Sequence, residues 1–170
     1  MTTSFAPLEP DAMRLLSERS GQDFSIADFR EPRWFCVTCR KPDGALQFVG
    51  VGEFKQWWNC HLSMAVEDMT CLSPKLLMTI FKTLFSRARR ITVIVPPDNQ
   101  RSLKQLHLLG FVYEGFIRRG FDGTRDALLF GMLPEDSIWL ARAHRRATRR
   151  AKSRTPIIIG GDHGRRTGPS

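Results

Sequence analysis

Three side chains that can take up a proton lie at or near the ends of β-like runs in the sequence. They are Glu53, His61 and Glu67, and a carboxylate or imidazole at a strand end can serve as a general base toward an amine or a water. Each also has an ordinary interpretation, because most carboxylates are simply solvated and most histidines are simply hydrogen-bonded. We take Glu53 and Glu67 as the candidate catalytic bases.

A second feature with chemical potential follows the β-branched run Ile91–Val95. Pro96 and Pro97 stop that run and turn the chain out of the sheet, which leaves backbone groups at the strand end free to meet a ligand. Asn99 then begins a helix that Gly110 closes. The side chain of Asn99 can bind a ligand or cap the helix, and the two roles are compatible.

The four cysteines do not form a metal-binding pattern. Cys36 and Cys39 lie in a β-like run, where residues three apart point to opposite faces and cannot hold one ion. Cys60 and its neighbour His61 also point to opposite faces of a strand, and the turn residues of a zinc knuckle are missing. We predict no metal site and four buried, free thiols in a reducing compartment.

Turn signals and periodicity predict the elements that position these residues. A Pro-Asp-Gly turn joins the strands Trp34–Arg40 and Leu46–Phe54 into a hairpin, since Pro fixes φ and Asp-Gly tolerates positive φ. Trp57–Glu67 is predicted as the next antiparallel strand, with His61–Val66 as its central part. Ser73 and Pro74 are predicted as the N-cap and the first position of a helix. Helical spacing of apolar residues extends this helix, Ser73–Ala88, toward the buried strand Ile91–Val95.

These four strands should be neighbours in this order within one sheet, because a helical crossover joins parallel strands. Other predicted elements are a first strand Thr3–Leu8, a short helix after Pro10 that ends at Ser20 and Gly21, a helix from Asp98 or Asn99 to Gly110, and a closing hairpin of Phe111–Phe121 with Ala127–Met132.

The element order and the segment 99–111 resemble the GNAT superfamily of acetyl-CoA-dependent N-acyltransferases. Asn99 and Ser102 match the family's Asn-x-x-Ser pattern, and Gly110-Phe111 follow the Asn by eleven and twelve residues. The pattern is most similar to the ribosomal-protein alanine N-acetyltransferase type. The resemblance covers about 3–132 and implies an α/β (α+β) fold. Its mixed, mostly antiparallel, twisted sheet has helices on both faces and splayed fourth and fifth strands.

The resemblance also implies where a cofactor would lie. The pantetheine arm of acetyl-CoA is expected between His61–Glu67 and Ile91–Val95, paired like an extra strand. Many family members carry, seven residues after the Asn, a Tyr that acts as the general acid toward the leaving thiolate. Leu106 occupies that position here. The cofactor-binding candidates are Met64, Ala65, Val66, Thr70, Ser73, Lys75, Asn99 and Ser102.

The loop that cradles the cofactor pyrophosphate in the family has a different composition here. No glycine occurs between Gly52 and Gly110, and Glu67 and Asp68 bring two carboxylates near the expected phosphate position. Pro74 removes one amide donor. Because backbone amides at a helix start normally hold such phosphates, we expect a degenerate phosphate loop and weak or absent cofactor binding.

Basic residues are concentrated at the C-terminal end of the 170-residue chain, which carries a net charge of +9. Residues 135–170 hold nine Lys and Arg against three Asp and Glu. We predict one GNAT-like domain over 1–134, followed by a basic helix and tail over 135–170 that docks at its apolar start, 138–143, and otherwise buries few apolar groups. Such a tail suits contact with nucleic acid, and it equally suits docking to a partner.

Two functions therefore stay open at the level of sequence. The first is an N-acetyltransferase that transfers acetyl from acetyl-CoA to an amine, for which a protein N-terminus or side chain is one candidate. The second is a catalytically inactive binding or structural protein on the same fold, of the kind found among bacteriophage and accessory proteins. The sequence has neither a membrane-length apolar run nor a signal-like leader, so a cytoplasmic location is expected (or host cytoplasm or virion for a phage protein).

Overall fold

A single seven-stranded sheet organises the computed structural model, which describes residues 1–25 and 27–145. Its strands are β1 (Thr2–Ser4), β2 (Trp34–Arg40), β3 (Leu46–Gln56), β4 (Asn59–Val66), β5 (Arg90–Val95), β6 (Val112–Ile117) and β7 (Ala127–Met132). Its helices are α1 (Pro10–Ser20), α2 (Pro74–Phe85) and α3 (Gln100–Leu109). The strand order β1-β2-β3-β4-β5-β7-β6 confirms that the four central strands are consecutive neighbours.

Local turn chemistry fixes the hairpin β2–β3. The amide of Gly44 donates to the carbonyl of Lys41 at 3.0 Å, and Gly44 adopts a φ of +87°, which favours glycine. The antiparallel register then places Trp34 opposite Glu53. A second tight turn joins β3 to β4 and places Glu53 opposite His61.

Strands β4 and β5 are the parallel pair of this mostly antiparallel sheet, joined by the crossover through α2. They pair at only three positions, of which His61 opposite Thr92 is the last. Beyond that point β4 continues to Val66 and β5 to Val95 without pairing to each other. The predicted splay between these two strands is confirmed.

Helices cover both faces of the sheet, as predicted. On one face α1 buries Ala12 and Leu16 against the strand residues Val49 and Val51. The other face carries the larger core, which α2 and α3 cover. The buried side chains of these two helices are Leu77, Ile80, Phe81 and Leu84 of α2, and Leu106 and Leu109 of α3.

Several predicted boundaries differ from the structure at element ends. The first strand ends at Ser4, not Leu8, because Leu8 turns inward to join the α1 core. Ser73 caps α2 as predicted, since its hydroxyl accepts from the amide of Leu76, but the helix ends at Phe85 and not at Ala88. The residues from Gln56 to Asn59 form the β3–β4 turn, so the predicted strand start at Trp57 is wrong. The strand predicted to reach Phe121 ends at Ile117.

The chain after β7 contributes to the core. Residues 138–145 are helical, and Trp139 is 7% exposed, with its indole N–H donating to the carbonyl of Leu109 at 2.9 Å. Ser137 is also buried. The start of this stretch therefore contributes more to the core than expected. The rest of the predicted tail, 146–170, lies outside the described residues.

Two further observations concern cysteines and membranes. The four cysteines are buried and unpaired, as predicted. Within the part of the chain that the structure describes, no helix has the length and apolar character needed to cross a membrane.

Candidate functional site

The divergence of β4 from β5 opens a cleft, which we call the splay cleft. It is lined by Leu62, Ser63, Met64, Val93, Ile94, Val95, Pro96, Asn99, Ser102 and Leu106, together with residues of the chain around the end of α1. Because strand pairing ends at His61 and Thr92, the facing backbone edges of β4 and β5 are open to a ligand over this length.

Asn99 and Ser102 lie together at one wall of the splay cleft. The side-chain oxygen of Asn99 accepts from the amide of Ser102 at 3.1 Å, so Asn99 caps α3. Its amide nitrogen is not used by that bond. The two roles considered for Asn99 are therefore compatible in the structure.

Two arginines that the sequence did not single out lie near the Val66 end of β4, where both line a groove with Asn99 and Ser102. Arg19, from the last turn of α1, contacts the carboxylate of Glu67 at 2.8 Å. Arg101, from the first turn of α3, donates to the backbone carbonyl of Glu67 at 3.0 Å and also to that of Val66. A cation in the first turn of a helix opposes the helix dipole, and this local conflict was a detectable signal for Arg101.

Backbone amides of the loop between β4 and α2 and of the first turn of α2 are already hydrogen-bonded to side chains of this loop. The carboxylate of Asp68 accepts from the amide of Thr70 at 2.9 Å, and this bond is the main reason that the pKa of Asp68 is lowered. The hydroxyl of Ser73 accepts from the amide of Leu76 at 3.2 Å. Thr70, Ser73 and Lys75 are all exposed. The loop therefore offers an ammonium and hydroxyls, while two of its amides are already bonded.

A second, more polar cavity begins where β4 and β5 still pair. It is lined by Gln22, Phe24, Trp34, Val51, Glu53, Lys55, His61, Leu62, Ser63, Thr92 and Ile94. Leu62, Ser63 and Ile94 also line the splay cleft, so the two spaces adjoin each other. We call this space the polar cavity.

Side chains of four adjacent strands form one row across the floor of the polar cavity. Trp34, Glu53, His61 and Thr92 are register partners from strand to strand, and directly paired residues share a face of the sheet. Glu53 carries the one carboxylate among the lining residues, and its side chain lies 3.4 Å from the ammonium of Lys55. Burial, followed by the charge of Lys55, lowers the pKa of His61 below its usual range. His61 is therefore neutral at neutral pH.

The structure separates the two catalytic candidates. Glu53 lies in the polar cavity, beside the start of the splay. Glu67 lies past the other end of β4, where its carboxylate is bound by Arg19. Met64, Ala65 and Val66 lie between them on the part of β4 that pairs with β3 but not with β5, and the three line a groove shared with Asn99 and Ser102. Within the described residues, no cluster of three or more His, Cys, Asp or Glu side chains could hold a metal ion.

The seven-stranded mixed sheet, splayed at its parallel pair and covered by helices on both faces, is the fold of the GNAT acetyltransferases. No protein-family model and no curated protein sequence matches the chain. Solved structures do match the chain.

A point mutant of the spermidine N-acetyltransferase of Vibrio cholerae matches with a TM-score of 0.58 at 13% identity, over 84% of this chain and 99% of that one. The protein smu.2055 of Streptococcus mutans UA159 matches with a TM-score of 0.60 at 15% identity, over 78% and 99%. Nourseothricin acetyltransferase matches with a TM-score of 0.52 at 19% identity, over 60% and 66%. At these identities the matches show the fold of the chain.

Proposed function

We propose that the protein is an N-acetyltransferase that takes acetyl from acetyl-CoA and transfers it to an amine. The observation that carries this proposal is the open backbone edge of β4 and β5 along the splay cleft. The pantetheine arm contains two amides, which can pair with such an edge as a strand would. Similar structures include enzymes named as a spermidine and a nourseothricin acetyltransferase, which supports this chemistry.

The residues of the splay cleft would hold the cofactor arm. In this proposal the backbone of Met64, Ala65 and Val66 pairs with the arm, while Asn99 and Ser102 contact it from α3. Acetyl-CoA supplies the activated acetyl group. Arg101 adds positive charge at the Val66 end of β4 and Arg19 compensates Glu67 there, while Thr70, Ser73 and Lys75 would meet the phosphates.

The polar cavity would receive the amine. Glu53 is the proposed proton acceptor, because it is the carboxylate of that cavity and lies one strand away from the start of the splay. Glu67 is the weaker of the two sequence candidates, since its carboxylate already binds Arg19 at the opposite end of β4. Peptide amines and small polyamines both remain acceptors to test. The four unpaired, buried thiols support the expected cytoplasmic location.

Isothermal titration with acetyl-CoA and with S-acetylpantetheine tests the cofactor proposal. We expect acetyl-CoA to bind with a dissociation constant at or above the high micromolar range, which is at most roughly 5 kcal/mol of binding free energy. S-acetylpantetheine should bind within about tenfold of it, because the open strand edges hold the arm. Failure of both compounds to bind at millimolar concentration would refute the proposal.

Two substitutions separate the arm from the phosphate end. Arg101→Gln should weaken acetyl-CoA binding and leave S-acetylpantetheine unchanged, because only the intact cofactor carries phosphates. Asn99→Ala should weaken both compounds, since the side chain faces the arm. Lys104→Gln, on an exposed position of the same helix, is the matched control for charge.

A catalytically inactive binding or structural protein is the second candidate. The bonded amides of Thr70 and Leu76 favour it, because they leave fewer donors for a pyrophosphate. In that case the basic residues of 135–170 would contact nucleic acid or a partner, as in a phage or accessory protein. Binding of an oligonucleotide that weakens steeply with added salt and disappears on deletion of 146–170 would support this second function.

A further inference from the structure

A chain of hydrogen bonds runs beneath the polar cavity from β5 to β4. The guanidinium Nε of Arg90 lies 3.1 Å from the hydroxyl of Thr92, and that hydroxyl lies 2.9 Å from the side-chain oxygen of Asn59. The side-chain nitrogen of Asn59 lies 3.2 Å from Nε2 of His61. Asn59 and Thr92 are buried, at 7% and 5% exposure, so their polar atoms depend on these partners.

The position of Arg90 in this chain is fixed from the other side. Its guanidinium forms a two-pronged ion pair with Glu114, with one contact at 2.9 Å. The carboxylate of Glu114 lies over Gly131, where an added Cβ would come within 2.3 Å of it. Gly131 therefore leaves room for Glu114 to reach across β7 to Arg90.

The donor and acceptor groups of these side chains fix the direction of each hydrogen bond in the series. A guanidinium can only donate, so the hydroxyl oxygen of Thr92 accepts from Arg90. The hydroxyl proton then goes to the oxygen of Asn59. Reversing the amide of Asn59 would leave that buried proton without a partner, which costs about 1–3 kcal/mol.

The orientation of Asn59 sets the protonation of His61. An amide NH₂ group can only donate, so Nε2 of His61 must be the accepting, unprotonated nitrogen. The ring proton of neutral His61 is therefore on Nδ1, which has no hydrogen-bond partner among the described residues. A doubly protonated ring would set an N–H against the NH₂ of Asn59, which disfavours the charged form.

We propose that Arg90, Thr92 and Asn59 are positioning residues that hold His61 as the neutral Nδ1–H form, so that His61 serves the polar cavity as a hydrogen-bond donor and not as the base. The role toward a bound amine acceptor rests on the proposed acetyltransferase function, whereas the protonation state does not. Proton uptake then falls to Glu53, and His61 can donate to an oxygen of the acceptor molecule.

Charged groups face His61 from two neighbouring strands. Lys55 and Glu53 of β3 act in opposite directions, and Arg90 of β5 adds to the effect of Lys55. A shift in the protonation of His61 could therefore arise from these charges alone. The experiment must read which nitrogen carries the proton, because net charge does not determine that.

Nitrogen-15 NMR of the imidazole rings in the full-length protein reads the proton position directly. In the wild type we expect His61 to show a protonated Nδ1 and a bare Nε2. Asn59→Asp places an acceptor at Nε2, so it should move the proton to Nε2 and raise the proton affinity of His61 by about tenfold or more. Thr92→Val removes the bond that orients Asn59 and should give a mixture of the two forms.

The exposed His107 of α3 provides an internal control in the same spectra and should not change. A wild-type His61 protonated on Nε2, or an Asn59→Asp variant that keeps the Nδ1 proton, would overturn the proposal. If one variant fails to fold, the wild-type spectrum and the other variant still decide it. Titration with acetyl-CoA tests the proposed function separately, so each idea can fail without the other.

If the acetyl-transfer activity is present, kinetics adds a second readout. Asn59→Asp should leave neutral His61 without its Nδ1 proton, so the rate of the variant should fall as the pH rises through the raised pKa of His61, where the wild type keeps its donor. A profile that does not move in this variant would contradict the donor role of His61.

Discussion

Replacing Trp139 by Ala should strongly destabilise the folded protein, although this residue lies in the basic C-terminal stretch. Trp139 is 7% exposed and belongs to the larger core. Burial of an indole removes about 150–250 Å² from water, worth up to roughly 4–6 kcal/mol at about 25 cal/mol per Å². Substitutions of a buried Trp by Ala typically cost about 3–5 kcal/mol, so we expect about 4 kcal/mol here.

Circular dichroism during urea and thermal unfolding measures this cost without relying on tryptophan fluorescence. For a chain of this size, about 4 kcal/mol should lower Tm by about 8–16 °C. Trp139→Phe keeps most of the apolar surface and loses the bond to the carbonyl of Leu109, so it should cost about 1–2 kcal/mol. The neighbouring Ile138 is 42% exposed, and Ile138→Ala is the matched control, expected below about 1 kcal/mol.

Truncations complete the test. Deletion of 136–170 should destabilise at least as much as Trp139→Ala, because it removes Trp139 and the buried Ser137. Deletion of 146–170 spares both residues and serves as its control. An unchanged Tm for Trp139→Ala would refute the assignment of this residue to the core.

Three further predictions concern the body of the protein. Gly52→Ala should destabilise by about 1–3 kcal/mol in urea unfolding, since its Cβ would lie 2.8 Å from the sulfur of Cys60 and 2.9 Å from Leu84. Burial raises the pKa of Cys36 to about 11 and that of Cys60 to about 12, so iodoacetamide at pH 8 should label these thiols only after unfolding. The pKa of His61 is lowered in the folded protein, so the unfolded chain binds the proton more tightly. The contribution of neutral His61 to stability is therefore complete above pH 6.5 and is lost as the pH falls through the pKa of the folded protein. Unfolding free energies of wild type and His61→Gln should diverge in this pattern.

The sequence predicted the sheet well where local chemistry determines it. The bounds of β2 and β7 agree with the predictions, and the turn at Lys41–Gly44 and the caps of α2 and α3 were also recognised. These features depend on residues adjacent in the chain. The order of the central strands followed from hairpin pairing and one helical crossover, which need few long-range choices.

The candidate site was only partly predictable, because its contacts join distant segments. Arg19 and Glu67 are 48 residues apart, and nothing in the local sequence of either indicates the pair. The row that joins Glu53 to His61 depends on strand register, which is irregular near the end of β3. The contribution of Trp139 to the core was underestimated for a related reason, since charge composition describes the whole stretch and not the single side chain that docks.

The ion pair between Arg19 and Glu67 changes the charge at the end of β4 where the cofactor phosphates are proposed to lie. From sequence, Glu67 and Asp68 were two carboxylates expected to repel a pyrophosphate. In the structure the charge of Glu67 is compensated by Arg19, and Arg101 brings a second guanidinium to the same strand end. Asp68 stays ionised because the amide of Thr70 stabilises its carboxylate. If the proposed cofactor binds here, its affinity should therefore depend on these arginines and weaken with added salt.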